Sequence, residues 1–145
     1  QSKMRFNNSK LFKEMFKFIF LSMVVFMISG CSKRTCEGVK YIEGVSYKNG
    51  KLYTGECFTT HMDGSLRSIR NYNNGLDDGK WIFYYDNGEV EVEGVFSKNK
   101  RIGEWKYYYK NGNIKYLQIY STAGNRSGTW IDYDSLGNVI RKIVQ

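Results

Sequence analysis

The chain changes its hydrophobic pattern once, near residue 30. Before that point an uncharged apolar run, Phe18 to Ser29, follows a stretch that carries five basic side chains and one acidic one. After residue 31, apolar and polar residues alternate in short runs that are bounded by Gly, Asn and Asp. No long segment there keeps a helical period. Period-two alternation is typical of β-strands. The pattern predicts an all-β body preceded by an N-terminal signal helix.

The body repeats itself every 24 or 25 residues. The recurring positions are Gly55, Gly79, Gly103 and Gly128; Gly64, Gly88, Gly112 and Gly137; Tyr72, Phe96 and Tyr120; and Trp81, Trp105 and Trp130, with Cys57 in the tryptophan position of the first unit. These periods predict a half-unit at 44–54 and units at 55–78, 79–102, 103–127 and 128–145. Residues 31–43 are interpreted as a tether.

Each unit is predicted to be an antiparallel β-hairpin. Asn87-Gly88 and Asn111-Gly112 favour two-residue type I′ turns, as does Asn49-Gly50 in the half-unit. With such a turn, Trp81 faces Gly94, Phe83 faces Val92 and Tyr85 faces Val90; likewise Tyr109 faces Ile114 in the next unit. Successive hairpins then form an elongated, twisted meander sheet with an aromatic stripe on one face.

The opposite, more polar face carries one tyrosine in each of three units. These tyrosines are Tyr84, Tyr108 and Tyr133. Strands that carry equivalent residues lie two strand spacings apart, or about 10 Å. We predict that these three side chains form the surface for a partner, and that the stripe with Trp81 is buried.

Residues 1–30 have the layout of a bacterial lipoprotein signal peptide. The apolar run has 12 residues, whereas a membrane-spanning helix needs roughly 20. Ile28-Ser29-Gly30-Cys31 resembles the lipobox of bacterial lipoproteins, which implies cleavage before Cys31 and acylation of its thiol. An uncleaved anchor or an incidental cysteine is the alternative. The resemblance implies a lipid-anchored protein of the cell envelope.

Two cysteines remain in the predicted mature chain. An oxidising envelope compartment would allow Cys36 and Cys57 to pair and to join the tether to the first hairpin. Alternatively, Cys57 is a small buried residue and Cys36 a free thiol. The spacing alone does not decide between them.

Charge and composition give little sign of catalysis. The net charge is +8 for the whole chain, but residues 31–145 hold 17 basic and 13 acidic side chains. We therefore expect no nucleic-acid partner. His61 is the single histidine, and Cys57, His61 and Asp63 suggest a triad, yet residues four apart on a strand are separated by about 13 Å. We expect no enzyme, cofactor or metal site.

The motif Gly79-x-Trp81-x-x-Tyr84-Tyr85-x-Asn87-Gly88 resembles the MORN repeat (membrane occupation and recognition nexus), in its bacterial variant form. Residues 103–112 repeat the motif, and the resemblance covers about 44–145. Tyr53-Thr54-Gly55-Glu56 resembles the start of relatives labelled as antitoxins. The resemblance implies a protein-binding scaffold that acts as an antitoxin or immunity protein. Two alternatives are a surface adhesive lipoprotein and a module that binds anionic lipid.

Overall fold

The computed structural model describes residues 34–144, and these residues form an all-β fold. The predicted signal peptide and Cys31 lie outside the described residues. The strands are β1 (Arg34–Thr35), β2 (Val39–Ile42), β3 (Val45–Lys48), β4 (Lys51–Leu52), β5 (Gly55–Thr60), β6 (Leu66–Asn73), β7 (Leu76–Asp77), β8 (Gly79–Tyr84), β9 (Val90–Ser97), β10 (Lys100–Tyr108), β11 (Ile114–Tyr120), β12 (Thr129–Tyr133) and β13 (Val139–Val144).

Most strands join one ten-stranded sheet. Its order is β1-β5-β6-β8-β9-β10-β11-β12-β13, with β7 paired to β6. From β5 to β13 every pairing is antiparallel, and β1 alone runs parallel, beside β5. The predicted meander of hairpins is confirmed. Strands β2, β3 and β4 form a separate three-stranded sheet.

Residues 34–42 of the segment that the sequence assigns to a tether carry two strands. β1 pairs with β5, placing Arg34 opposite Cys57, and the disulfide between Cys36 and Cys57 follows directly. The Cα atoms of the two cysteines are 4.9 Å apart, well within the range that a disulfide spans. The covalent bond therefore fixes this segment beside the first hairpin.

The turns differ from the prediction at the tips of the long hairpins. Tyr85 donates its backbone N–H to the carbonyl of Glu89, and Gly88 donates to that of Tyr85. The loop is therefore Asp86-Asn87-Gly88, a three-residue type I turn closed by Gly88 with a φ of 85°. The predicted type I′ turn is wrong here and at Asn111-Gly112, whereas Asn49-Gly50 has positive φ at both residues, as type I′ requires.

This longer loop shifts the pairing by one residue beside the turn only, and a β-bulge restores the predicted register further along each hairpin. Trp81 faces Gly94 and Phe83 faces Val92, as predicted, but Tyr84 rather than Tyr85 faces Val90. In the next unit Tyr108, not Tyr109, faces Ile114. The predicted pairings of Tyr85 and Tyr109 are therefore wrong, because a β-bulge follows Phe83 and Tyr107 in the two strands.

The most buried cluster lies near the disulfide. Tyr53, Cys57 and Tyr72 are buried together, and Cys36, Val39 and Trp81 pack against them. Beyond this cluster the aromatic face consists of rings packed on rings. The T-shaped contacts Tyr72–Trp81, Trp81–Phe96 and Phe96–Trp105 have centroid distances of 5.7, 4.8 and 4.9 Å. Each unit thus supplies surface that its neighbour buries.

Candidate functional site

The tryptophan of each unit is held by a hydrogen bond to the preceding strand. The indole Nε1–H groups of Trp81, Trp105 and Trp130 donate to the carbonyls of Asn71, Val95 and Ile119, at 3.0, 3.2 and 2.9 Å. The donor follows its acceptor by 10, 10 and 11 residues. The tryptophans are therefore structural, since both the ring and its polar atom are committed within the repeat.

An arginine lies over each tryptophan ring. The guanidinium carbons of Arg70, Arg101 and Arg126 lie 5.2, 4.5 and 4.4 Å from the centroids of Trp81, Trp105 and Trp130. Such cation–π contacts are worth about 0.5–1 kcal/mol at exposed sites. Our sequence reasoning missed them. The spacing Arg-x-x-x-Trp, present at 101–105 and 126–130, was the signal that could have revealed two of the three.

A second series of hydrogen bonds connects each hairpin to the next one. Tyr85 Oη donates to the carbonyl of Tyr108 at 2.7 Å, and Tyr109 Oη donates to that of Tyr133 at 2.9 Å. His61 Nε2 lies 3.0 Å from the carbonyl of Tyr84, the equivalent acceptor in its own next unit. Because a carbonyl only accepts, Nε2 carries the proton. His61 therefore replaces the tyrosine of the later units.

The structure does not assemble a triad from Cys57, His61 and Asp63. Cys57 is 1 % exposed and disulfide-bonded, so it has no thiol. Asp63 accepts hydrogen bonds from the backbone N–H and the hydroxyl of Ser65, and these bonds lower the pKa of the Asp63 carboxyl. Within residues 34–144 no group of three His, Cys, Asp or Glu side chains is arranged to hold a metal ion.

The candidate partner residues Tyr84, Tyr108 and Tyr133 lie near the ends of β8, β10 and β12, and all three are half-buried. Tyr108 Oη donates to Glu93 Oε1 at 2.8 Å. Burial, followed by the bond to Glu93 and its negative charge, raises the pKa of Tyr108 to about 12. The pKa of Glu93 is lowered, chiefly by its bond to Lys80, whose Nζ lies 2.9 Å away.

Two cavities open on the aromatic side of the sheet. One of about 370 Å³ is lined by residues of both sheets, including Tyr41, Arg70, Asp77 and Trp81. Arg70 Nε is buried there without a hydrogen-bond partner among the described residues. Burial raises the pKa of Asp77, against the opposing charge of Arg70.

The other cavity, of about 310 Å³, lies between two successive tryptophans. Trp81, Phe96, Arg101 and Trp105 are among the residues that line it. We placed the contact surface on the opposite face, so the sequence reasoning missed both cavities.

No helix within the described residues has the length and apolar character needed to cross a membrane.

The fold and these contacts define a β-hairpin repeat protein. Residues 77–99 and 101–121 match the family described as MORN repeat variant, as two adjacent repeats. No curated protein matches the chain.

Among solved structures, the chain is similar to one described as "Crystal structure of GtfA/B complex bound to UDP and GlcNAc". The identity is 14 % and the TM-score 0.31, over 74 % of this chain and 23 % of that one. A similarity of this size carries no argument about function.

Proposed function

We propose that this chain is a non-enzymatic scaffold, lipid-anchored at Cys31 in a bacterial cell envelope, that binds a partner protein through its repeat sheet. One observation carries the proposal: the side chains that suggest catalysis are already bonded to other parts of the repeat. His61 donates to a backbone carbonyl, and Cys57 is in a disulfide. What remains is a continuous sheet with regularly spaced aromatic side chains, which suits a binding surface.

The contact surface is the tyrosine row of Tyr84, Tyr108 and Tyr133. Half-buried tyrosines have rigid rings and a polar tip, which suits protein interfaces. In a pull-down from envelope extract, alanine at all three positions should abolish capture of the partner. A matched control replaces Tyr41, Ile42 and Leu52, which are exposed on the smaller sheet, and should retain capture. If the tyrosine variant, folded by circular dichroism, captures every wild-type partner, this surface is not the site.

The finer proposal is that the partner is a toxin protein, which rests on the resemblance of residues 53–56 to antitoxin-labelled relatives. Co-expression tests it directly. The wild-type chain should restore growth to cells that express the protein encoded beside it, and the tyrosine variant should not. Equal growth with and without the chain would contradict the antitoxin role while leaving partner binding to the pull-down.

The anchor is tested by mass spectrometry of the membrane fraction. The proposal predicts a mature chain that begins at Cys31 and carries an acyl mass, and a Cys31→Ser variant that leaves the membrane fraction. Recovery of an intact segment from Met4 to Ser29 would contradict it.

We favour protein binding over direct binding of anionic lipid, and two ion pairs near the tyrosine row support this choice. Two lysines close to Tyr108 in the sequence are near carboxylates: Lys106 Nζ lies 3.2 Å from Glu104, and Lys110 Nζ lies 2.8 Å from Asp86. Paired cations attract an anionic surface less than free ones. Protein binding is therefore the better-supported function.

A further inference from the structure

The cavity lined by residues of both sheets combines one cation and one carboxylate with apolar walls. Its volume of about 370 Å³ lies in the range of about 300–1,000 Å³ that is usual for small-molecule pockets. Arg70 and Tyr72 are two residues apart on β6 and therefore share a face, and Asp77 pairs directly opposite Tyr72. Val39 and Trp81 supply apolar surface. The cavity thus has the composition of a site for a small molecule that carries charge.

The Arg70 guanidinium has an unused donor inside this cavity. Its Nε is buried without a hydrogen-bond partner among residues 34–144, and its guanidinium carbon lies 5.2 Å from the centroid of the Trp81 ring. The charge of Arg70 acts on the Asp77 carboxyl, yet that carboxyl does not accept a hydrogen bond from Arg70 Nε. A buried charged donor without an acceptor is costly. A ligand that brings an acceptor to Arg70 would therefore recover free energy.

The Asp77 carboxylate is held in place by its backbone and lacks a cation close enough to offset its burial. Its backbone N–H donates to Asn99 Oδ1 at 2.6 Å, and its backbone carbonyl accepts from the Asn99 N–H at 2.9 Å. Burial raises the pKa of the Asp77 carboxyl in spite of the positive charge of Arg70. A cationic group placed against this carboxylate would stabilise its charged form.

The cavity is also a place where the chain departs from its own repeat. One period of 24 residues after Asp77 stands Arg101, the arginine that lies over the Trp105 ring. One period after Arg70 stands Gly94, whose missing side chain leaves the space that the Trp105 ring fills. The cavity therefore has an acid where the next unit has its structural arginine, and an arginine where that unit has glycine. Departures from a local rule are expected at functional sites.

We propose that this cavity binds a free amino acid with an apolar side chain. The ligand's carboxylate accepts from Arg70, its ammonium group donates to Asp77, and its side chain packs against Trp81. A zwitterion satisfies both protein charges at once, whereas an anion alone would face the Asp77 carboxylate and a cation alone would face Arg70. The site lies on the aromatic side of the sheet, so it goes beyond the proposed partner binding and does not depend on the tyrosine row.

Titration of the intact protein with three leucine compounds tests the site, with calorimetry for affinity and ¹⁵N NMR for location. L-leucine carries both charges, N-acetyl-L-leucine lacks the ammonium group, and L-leucinamide lacks the carboxylate. We expect leucine to shift the backbone amides of Arg70, Tyr72 and Asp77. We also expect it to bind about tenfold more tightly than either analogue, because each analogue leaves one buried charge without its partner.

Substitutions assign each charge of the ligand to one side chain. Arg70→Gln should weaken leucine binding by about tenfold and remove the preference over leucinamide. Asp77→Asn should weaken it similarly and remove the preference over N-acetyl-leucine. The matched control is Arg101→Gln, which also removes an arginine that lies over a tryptophan ring and should leave leucine affinity unchanged.

Three results would overturn the assignment. They are unshifted cavity amides at millimolar leucine, binding of N-acetyl-leucine as tight as that of leucine, which would indicate a simple carboxylate site, and an equal loss of affinity in Arg70→Gln and Arg101→Gln, which would indicate an effect of packing. If Arg70→Gln does not fold by circular dichroism, Asp77→Asn, which keeps the size of the side chain, decides. Because the partner pull-down depends on the tyrosine row, failure of the leucine titration removes the amino-acid site and leaves the proposed function standing.

Discussion

Replacing Gly94 by alanine tests how closely successive units pack. Gly94 lies on β9 beneath the indole of Trp105, which is 2 % exposed. A Cβ atom at this position would lie 2.7 Å from Trp105 Cε3 and still closer to Cδ2 and Cε2. The opposing residue is Trp81. Glycine is therefore required here by contact between rings and backbone.

The expected cost follows from two opposing contributions. In a strand, alanine is favoured over glycine by about 0.5–1 kcal/mol through chain entropy. Overpacking costs about 1–3 kcal/mol, and releasing a buried tryptophan costs up to about 3–5 kcal/mol. We expect Gly94→Ala to lower the free energy of unfolding by about 2 kcal/mol.

Urea unfolding followed by far-ultraviolet circular dichroism measures this cost, and a double-mutant cycle identifies its cause. In a Trp105→Leu background the clash is relieved, so the cost of Gly94→Ala should fall to zero or below, because chain entropy then favours alanine. Gly88→Ala is the control: its site is open, with a φ of 85°, so its cost of about 1–2 kcal/mol should be equal in both backgrounds. An unchanged cost of Gly94→Ala in the leucine background would refute the packing argument.

Three further changes test separate parts of the account. His61→Tyr should leave the unfolding free energy within about 0.5 kcal/mol of wild type, because tyrosine makes the equivalent bond in later units, whereas His61→Ala should cost about 1 kcal/mol; equal losses in both variants would contradict this. Reduction of the disulfide, whose cysteines are 21 residues apart, should lower the unfolding free energy by about 3 kcal/mol, and a variant with serine at both positions should not respond to reductant. Tyr108 should titrate with a pKa of about 12 in a ¹³C-tyrosine NMR experiment, and Glu93→Gln should lower that pKa only partly because burial, its largest cause, remains. Since the folded pKa is the raised one, the stability from protonated Tyr108 is complete below about pH 10 and is lost as the pH rises towards 12; a Tyr108 pKa near the ordinary tyrosine value of about 10 would contradict this.

The repeat period could be predicted from the sequence because glycine and tryptophan recur at regular spacings. The strand pairings of Trp81 and Phe83 were predicted from a two-residue turn, and they are right because the β-bulge after Phe83 offsets the longer loop. The turn type did not, because Asn-Gly fits both a two-residue type I′ turn and the last two positions of a three-residue loop. The hydrogen bond from Tyr85 N–H to the Glu89 carbonyl identifies the three-residue loop.

The roles of individual side chains were harder to predict from the sequence. The 24-residue period aligns His61 with Tyr85. The hydrogen bond that each of these side chains makes, however, joins it to a backbone carbonyl 23 residues further along the chain. Such a bond depends on how neighbouring hairpins pair in the sheet, which no local sequence pattern specifies. The cysteine pair likewise required the parallel β1–β5 contact, since the spacing left both alternatives open.

The account's central claim, that the repeat sheet binds a partner protein, is tested most directly by site-specific photo-crosslinking. A photo-reactive amino acid replaces Tyr108 in the intact protein, and cross-linked products from the native membrane are identified by mass spectrometry. Partner binding through the tyrosine row predicts one abundant cross-linked protein, which is absent when the reactive group replaces exposed Tyr41 on the smaller sheet. Cross-links at position 108 to lipid alone, or to no molecule at all, would contradict the claim.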